Sequence, residues 1–71
     1  MIEMIVKRLK NELTDLNDKL TKLSKFLAKQ SKETTISATQ LELLKEQKQA
    51  MAKYAKVLKL RIKNLEAKNN D

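Results

Sequence analysis

Two long heptad patterns limit what this chain can fold into. In the first half, the apolar residues repeat in alternating steps of four and three, at Ile2, Val6, Leu9, Leu13, Leu16, Leu20, Leu23 and Leu27. In the second half, the same alternation runs through Leu41, Leu44, Lys48, Met51, Ala55, Leu58, Ile62 and Leu65. Lys48 is the one polar member of this second series. Such steps place the residues on a single stripe of a helix and are typical of coiled coils. Each half therefore predicts one long helix.

A polar segment separates the two patterns. The apolar repeat stops after Leu27, and Ser37 and Gln40 have the S-x-x-Q spacing of a capping box, in which each side chain satisfies a free backbone donor. Ile36 and Leu41 flank this box as a hydrophobic pair. Together these residues predict the start of a second helix. The expected bounds are helix 1 at about 2–31, a turn at 32–36, helix 2 at about 37–67 and a frayed tail at 68–71.

A short turn makes the two helices antiparallel. Matching the two apolar stripes about the turn predicts that residues whose numbers sum to about 67 face each other. Leu9 then faces Leu58, and Leu16 faces Met51. The predicted fold is all-α, a single domain made of two long antiparallel helices in a coiled-coil-like helical hairpin.

The apolar arc of helix 2 is wider than one neighbouring helix can cover. Leu43, Ala50 and Val57 lie beside the seam, and Tyr54 lies close to them in the helical repeat. A two-helix hairpin of this size buries too little apolar surface to be stable by itself. The sequence therefore predicts a homo-oligomeric helix bundle, with a four-helix dimer as the first expectation and higher rings as the alternative.

Composition excludes several classes of function. The chain has no cysteine, histidine or glycine, which removes disulfides, thiolate metal sites, the commonest general base and phosphate-binding glycine loops. We therefore expect no enzyme activity, no catalytic residue, no metal site and no cofactor. No apolar run approaches the roughly 20 residues that span a bilayer, and no signal-peptide pattern is present. The expected location is the cytoplasm, without a membrane partner.

The charge balance predicts an anionic partner. The formal net charge is +7, and 14 of the 16 basic residues are lysines. Lysine is a mobile point charge without the fork by which arginine recognises bases and phosphates. With only two aromatic residues to stack on bases, the composition argues against sequence-specific recognition of nucleic acid. An anionic nucleotide and an acidic protein surface both remain as partners, and a purely solubilising role for the lysines is the alternative.

Two groups of residues are candidate ligand sites. Gln47, Tyr54 and Arg61 recur every seven residues at the edge of the apolar arc. There Tyr54 can stack on a base and Arg61 can pair with a phosphate. The alternative is that all three are ordinary flanking positions of a coiled coil.

The start of helix 2 is the second candidate site. Its free backbone N–H groups, together with Lys32, Thr35 and Ser37, predict a place for an anion. The alternative is structural, because a capping role explains Ser37 and a loop position explains Thr35.

The segment from Ser37 to Met51, SATQLELLKEQKQAM, resembles small phage-encoded helical-hairpin proteins. Among them it is similar to the hairpin domain of phage anti-CBASS sponges. This resemblance implies an oligomer that sequesters cyclic nucleotide signals of bacterial immunity between its subunits, through tyrosine, lysine and hydroxyl side chains. If the chain is phage-encoded, its location is the host cytoplasm. The competing hypothesis is a helical-bundle interaction module that inhibits or regulates a host or phage protein.

Overall fold

The protein is a hairpin of two long α-helices. The structure, a computed structural model, describes residues 1–70, with side chains described through residue 67. Helix α1 covers Ile2–Lys32 and helix α2 covers Ala38–Asn70, with residues 33–37 between them. The two helices pack against each other in a rod of 52 × 15 × 14 Å, and no strand occurs within residues 1–70. The predicted all-α helical hairpin is confirmed.

The capping residues set the start of α2. The Gln40 backbone N–H donates to the Ser37 Oγ at 3.1 Å, and the Leu41 N–H donates to the Ser37 carbonyl at 3.0 Å. Ile36 and Leu41 are both partly buried, as expected of the hydrophobic pair that flanks a cap. Ser37 is therefore the N-cap, and the helix proper begins one residue later, at Ala38.

The end of α2 lies further along the chain than the sequence pattern indicated. The backbone stays helical through Asn70, so residues 68–70 of the expected frayed tail belong to the helix. Asp71 lies outside the described residues. Over the described part of the chain, neither helix has a stretch that is long and apolar enough to cross a membrane.

Six residues of the predicted seams form the buried core. They are Val6, Leu9 and Leu16 from α1, and Ala55, Leu58 and Ile62 from α2. Four further seam residues pack against them and are partly buried: Leu13, Leu20, Met51 and Leu65. The core therefore lies in the half of the hairpin away from the turn. Near the turn, the seam residues Leu27 and Leu44 are only partly buried.

The register of the two helices differs from the predicted one. Lys10 Nζ contacts Glu66 Oε2 at 3.1 Å across the hairpin, a pair whose numbers sum to 76, and Lys32 and Ala38 at the helix ends sum to 70. With the predicted sum of 67, Glu66 would lie about 13 Å along the axis from the residue facing Lys10. The two sums exceed the predicted 67 by nine and by three residues, so the predicted register was wrong by about one to two and a half helical turns. Two heptad stripes match again after a shift of one repeat step, so the connection, and not the apolar pattern, sets the register.

The core predicts a sharp difference between two leucines of α2. Leu58 is fully buried, whereas Leu60 is 56% exposed. Replacing Leu58 with alanine should lower the free energy of unfolding by about 2–5 kcal/mol, because the site loses apolar burial and gains a cavity. The matched change Leu60→Ala should stay within about 0.5 kcal/mol. Urea unfolding followed by circular dichroism, at one protein concentration, measures both. Equal losses for the two variants would contradict this core.

Candidate functional site

The turn is closed by a glutamine that the sequence analysis did not select. The side chain of Gln30 is 3% exposed. Its Oε1 accepts a hydrogen bond from the Thr35 backbone N–H at 2.8 Å, and its Nε2 donates to the Thr35 Oγ1 at 2.8 Å. The Thr34 hydroxyl donates to the Gln30 carbonyl at 3.0 Å. The Gln30 amide thus binds the backbone N–H and the hydroxyl of Thr35, and it links the end of α1 to the connection.

These bonds determine what the turn can offer a ligand. The hydroxyl oxygen of Thr35 accepts a bond from Gln30, and that of Ser37 accepts the Gln40 N–H in the first turn of α2. Lys32 is exposed in the last turn of α1, where a cation also complements the helix dipole. The three candidates of this group therefore lie together near the turn, and two of them have structural hydrogen bonds.

The other three candidates lie along one side of the hairpin. Tyr54 is 45% exposed, and Gln47 and Arg61 are exposed one heptad away on either side, at about 10 Å spacing along the axis. Arg61 lines a groove of about 280 Å³ together with Ile5, Arg8, Leu9 and Glu12 of α1. Ser37 lies about 25 Å from Tyr54 along α2. One subunit therefore does not bring the two candidate groups together.

The side that carries Tyr54 also exposes apolar residues. We call it the apolar flank and define it by Ile5, Phe26, Leu43, Tyr54 and Val57, which are 39–50% exposed. Phe26 repeats the heptad position of Ile5, and Val57 repeats that of Leu43. Because Leu43, Tyr54 and Val57 lie outside the seam, α2 is much less amphipathic than α1. The wide apolar arc predicted for helix 2 is thus left uncovered by α1.

The opposite side of the hairpin is basic. We call it the lysine flank and define it by the residues of two grooves that line the seam: Lys10, Lys45, Lys48, Lys59, Lys63 and Glu66. Lys45 and Lys59 belong to the same heptad column of α2, so both grooves open on one side. Lys45, Lys59 and Lys63 therefore all lie beside grooves. The sequence feature that indicates these grooves is Lys48, the polar residue within an apolar seam.

Within the residues that the structure describes, no group of three or more acidic, cysteine or histidine side chains is placed to hold a metal ion. The ion pairs are exposed: Lys10 with Glu66 across the hairpin, and Lys45 with Glu42 at 3.6 Å within α2. Exposed pairs of this kind contribute little stability and give way to a competing anion. The lysines are therefore available to a ligand.

The turn predicts a specific role for Gln30. Replacing it with alanine removes both bonds to Thr35 and leaves a partly buried N–H without its acceptor. We expect a loss of about 1–3 kcal/mol in unfolding free energy and faster hydrogen exchange at the Thr35 amide. Gln47→Ala is the matched control, and it should cost less than about 0.5 kcal/mol because Gln47 is exposed. Unchanged exchange at Thr35 in the Gln30 variant would contradict the role of this side chain.

Comparison with known proteins gives one family. The family model described as Sequestin matches residues 3–64, which span most of α1, the whole connection and most of α2. Neither the curated proteins nor the solved structures give a match. The matched segment contains the entire buried core, the apolar flank, the five lysines of the lysine flank and the turn closed by Gln30. The chain therefore belongs to the Sequestin family.

Proposed function

We propose that this hairpin binds an anionic cyclic nucleotide and withholds it from its receptor, as a non-enzymatic anti-defence protein of a phage acting in the host cytoplasm. The family name indicates a sequestering protein. The observation that carries the proposal further is the side with the half-exposed Tyr54 ring and the Arg61 guanidinium, on a chain with net charge +7. A protein that holds a small anion by charge and shape needs no catalytic group.

Surface area supports a homo-oligomer. The single hairpin exposes 5835 Å², whereas a compact monomer of its mass exposes about 4,500 Å². The excess of about 1,300 Å² exceeds the roughly 800 Å² that each partner loses in a standard interface. The apolar flank is the surface whose burial gains most, because its exposed residues are large and apolar. A second copy packed on this flank forms a four-helix bundle.

A dimer of this kind brings the candidate ligand-binding residues together at the boundary between subunits. Tyr54, Arg61 and Gln47 lie along the apolar flank, so an interface there brings them to the boundary between subunits. Tyr54 then stacks on a base of the ligand and Arg61 pairs with a phosphate. In an antiparallel contact that is offset by about half of the 52 Å rod, Lys32 and the turn of one subunit approach the middle of its partner. Thr35 and Ser37 then contribute through their hydroxyl groups, because each hydroxyl oxygen accepts a bond within the turn and its O–H can still donate to an anion.

A second function is favoured by the same exposed apolar residues. Leu43, Tyr54 and Val57 expose 44–50% of their surface on a helix that has a single neighbour. An amphipathic segment of another protein can cover such a surface as well as a second copy can. In this alternative, the chain sequesters a host or phage protein within a helical bundle, and the lysines attract an acidic partner.

The nucleotide hypothesis predicts a thermal shift. Cyclic dinucleotides and trinucleotides, tested at low salt, should include one that raises the melting temperature by several degrees. A ligand at 100 times its Kd adds about 2.7 kcal/mol to the stability of the folded state. Replacing Tyr54 with alanine or Arg61 with glutamine should reduce the shift, while the exposed control Lys22→Gln should not. If no cyclic nucleotide shifts the melting temperature of the wild-type protein, the proposal is wrong and the protein-partner function takes its place.

The oligomer hypothesis predicts that one leucine controls assembly. Leu43→Glu places a charge in the proposed interface and should shift sedimentation at micromolar concentration toward single chains, because an unpaired buried charge is costly. Leu60→Glu is the control. Leu60 shares its heptad column with Glu46 and Lys53, which marks a solvent-facing position. Wild-type protein that sediments as a folded single chain, or equal dissociation of both variants, would contradict an interface on the apolar flank.

A further inference from the structure

The lysine flank contains a groove near the turn that neither the family match nor the candidate residues explain. It has a volume of about 520 Å³, within the roughly 300–1,000 Å³ of small-molecule sites. Side chains from both helices line it. They are Ser24, Leu27, Ala28 and Ser31 from α1, and Lys45, Lys48, Gln49 and Ala52 from α2.

The groove exists because small side chains face each other where large ones would close the seam. Ser24 and Ala28 on α1 and Ala52 on α2 leave room between the helix backbones. Lys48 occupies the seam position where the rest of the series is apolar, and it is exposed. The nearby seam residue Leu27 is only partly buried. The hairpin is therefore open at this level, in contrast to the dry core around Leu58.

The lining of the groove is suited to oxyanions. Lys45 and Lys48 supply two positive charges, and Ser24, Ser31 and Gln49 supply hydroxyl and amide donors. Two of these groups have contacts of their own. The Ser31 hydroxyl donates to the Ala28 carbonyl at 2.7 Å, and Lys45 pairs with Glu42 at 3.6 Å. The Lys45 pair is exposed and weak, so a doubly charged anion can displace Glu42.

Lys48 places a charge at a seam position where the fold favours an apolar side chain. An apolar residue at its position would continue the seam and extend the core toward the turn. A side chain that breaks the local pattern without an evident structural gain is expected at functional sites. Methionine at this position keeps an unbranched stem of similar reach and removes only the charge. The substitution therefore separates the stability of the hairpin from its affinity for an anion.

We propose that this groove is an anion-binding site built within each hairpin, which holds the phosphate groups of a phosphorylated small molecule between Lys45 and Lys48. It is distinct from the Tyr54–Arg61 site on the apolar flank, because it opens on the opposite side of the rod. One hairpin supplies the whole lining, so the site does not require a second subunit.

The test uses inorganic pyrophosphate as the probe of the ¹⁵N-labelled full chain at low salt. Pyrophosphate should shift the backbone amides near Ser24, Ser31 and Lys48 in a saturable manner. The Lys48→Met variant should bind about tenfold more weakly or worse, since each hydrogen bond to a charged group contributes about 1.5–3 kcal/mol. The same variant should melt at a higher temperature than wild type. Lys22→Met is the charge-matched control and should leave both binding and melting temperature unchanged.

A steric pair makes the test independent of charge. Ala52→Leu fills the groove and should abolish the pyrophosphate shifts, whereas Ala50→Leu adds the same volume on the apolar flank and should preserve them. Shifts that disappear equally in Lys48→Met and Lys22→Met, or that persist in Ala52→Leu, would show diffuse attraction to lysines and overturn the site. The absence of saturable shifts in wild type would overturn it as well.

The outcome is separable from that of the proposed function. Saturable pyrophosphate binding that depends on Lys48, without binding of any cyclic nucleotide, supports the groove and rejects the nucleotide-sequestering proposal. Cyclic nucleotide binding that depends on Tyr54 but not on Lys48, with no pyrophosphate shifts, supports the nucleotide-sequestering proposal and rejects the groove. A cyclic nucleotide that shifts the groove amides and loses affinity in Lys48→Met identifies the nucleotide as the source of the phosphate, rather than free pyrophosphate.

Discussion

The packing of one helix on a single neighbour governs this protein. An α-helix in a two-helix hairpin can bury only one stripe, and here that stripe closes tightly around Leu9, Leu16 and Leu58, away from the turn. Everything outside the stripe remains at the surface. The apolar flank and the lysine flank are therefore both consequences of the same seam, since they are the two sides that a single interhelical contact leaves open.

Much of the fold could be predicted from the sequence because its signals are local. The heptad steps identify the seam residues, and Ser37 with its flanking apolar pair identifies the start of α2 within one residue. The register could not be predicted in the same way. A heptad stripe fits its partner equally well after a shift of about one turn, so the choice depends on the geometry of the connection. Gln30 takes the next seam position after Leu27, but it is polar and so was not counted in the apolar repeat. Its side chain acts through two bonds to Thr35.

The candidate site could be predicted less well than the fold. Tyr54, Gln47 and Arg61 were selected by their shared heptad column, and they lie on one flank as that column requires. The groove near the turn was not predicted, because it requires small residues on one helix to face a lysine on the other. That pairing depends on the register. Lys48 was visible as an exception within the seam, but only the three-dimensional arrangement places Ser24, Ala28 and Ala52 around a cavity beside it.

The two flanks suggest a division of labour within a small sequestering protein. The exposed apolar residues and the lysines lie on opposite sides of one rod, so the proposed interface on one side leaves the other side open to an anion. Lys48 is the residue at which the fold and the proposed site differ, because an apolar side chain there would continue the seam and a charge there favours anion binding.

Native mass spectrometry of the wild-type chain with pyrophosphate tests this division most directly. The account predicts assemblies of two or more chains that carry one anion per chain, with the same subunit number before and after binding. Single chains, or one anion shared by each pair of chains, would contradict it.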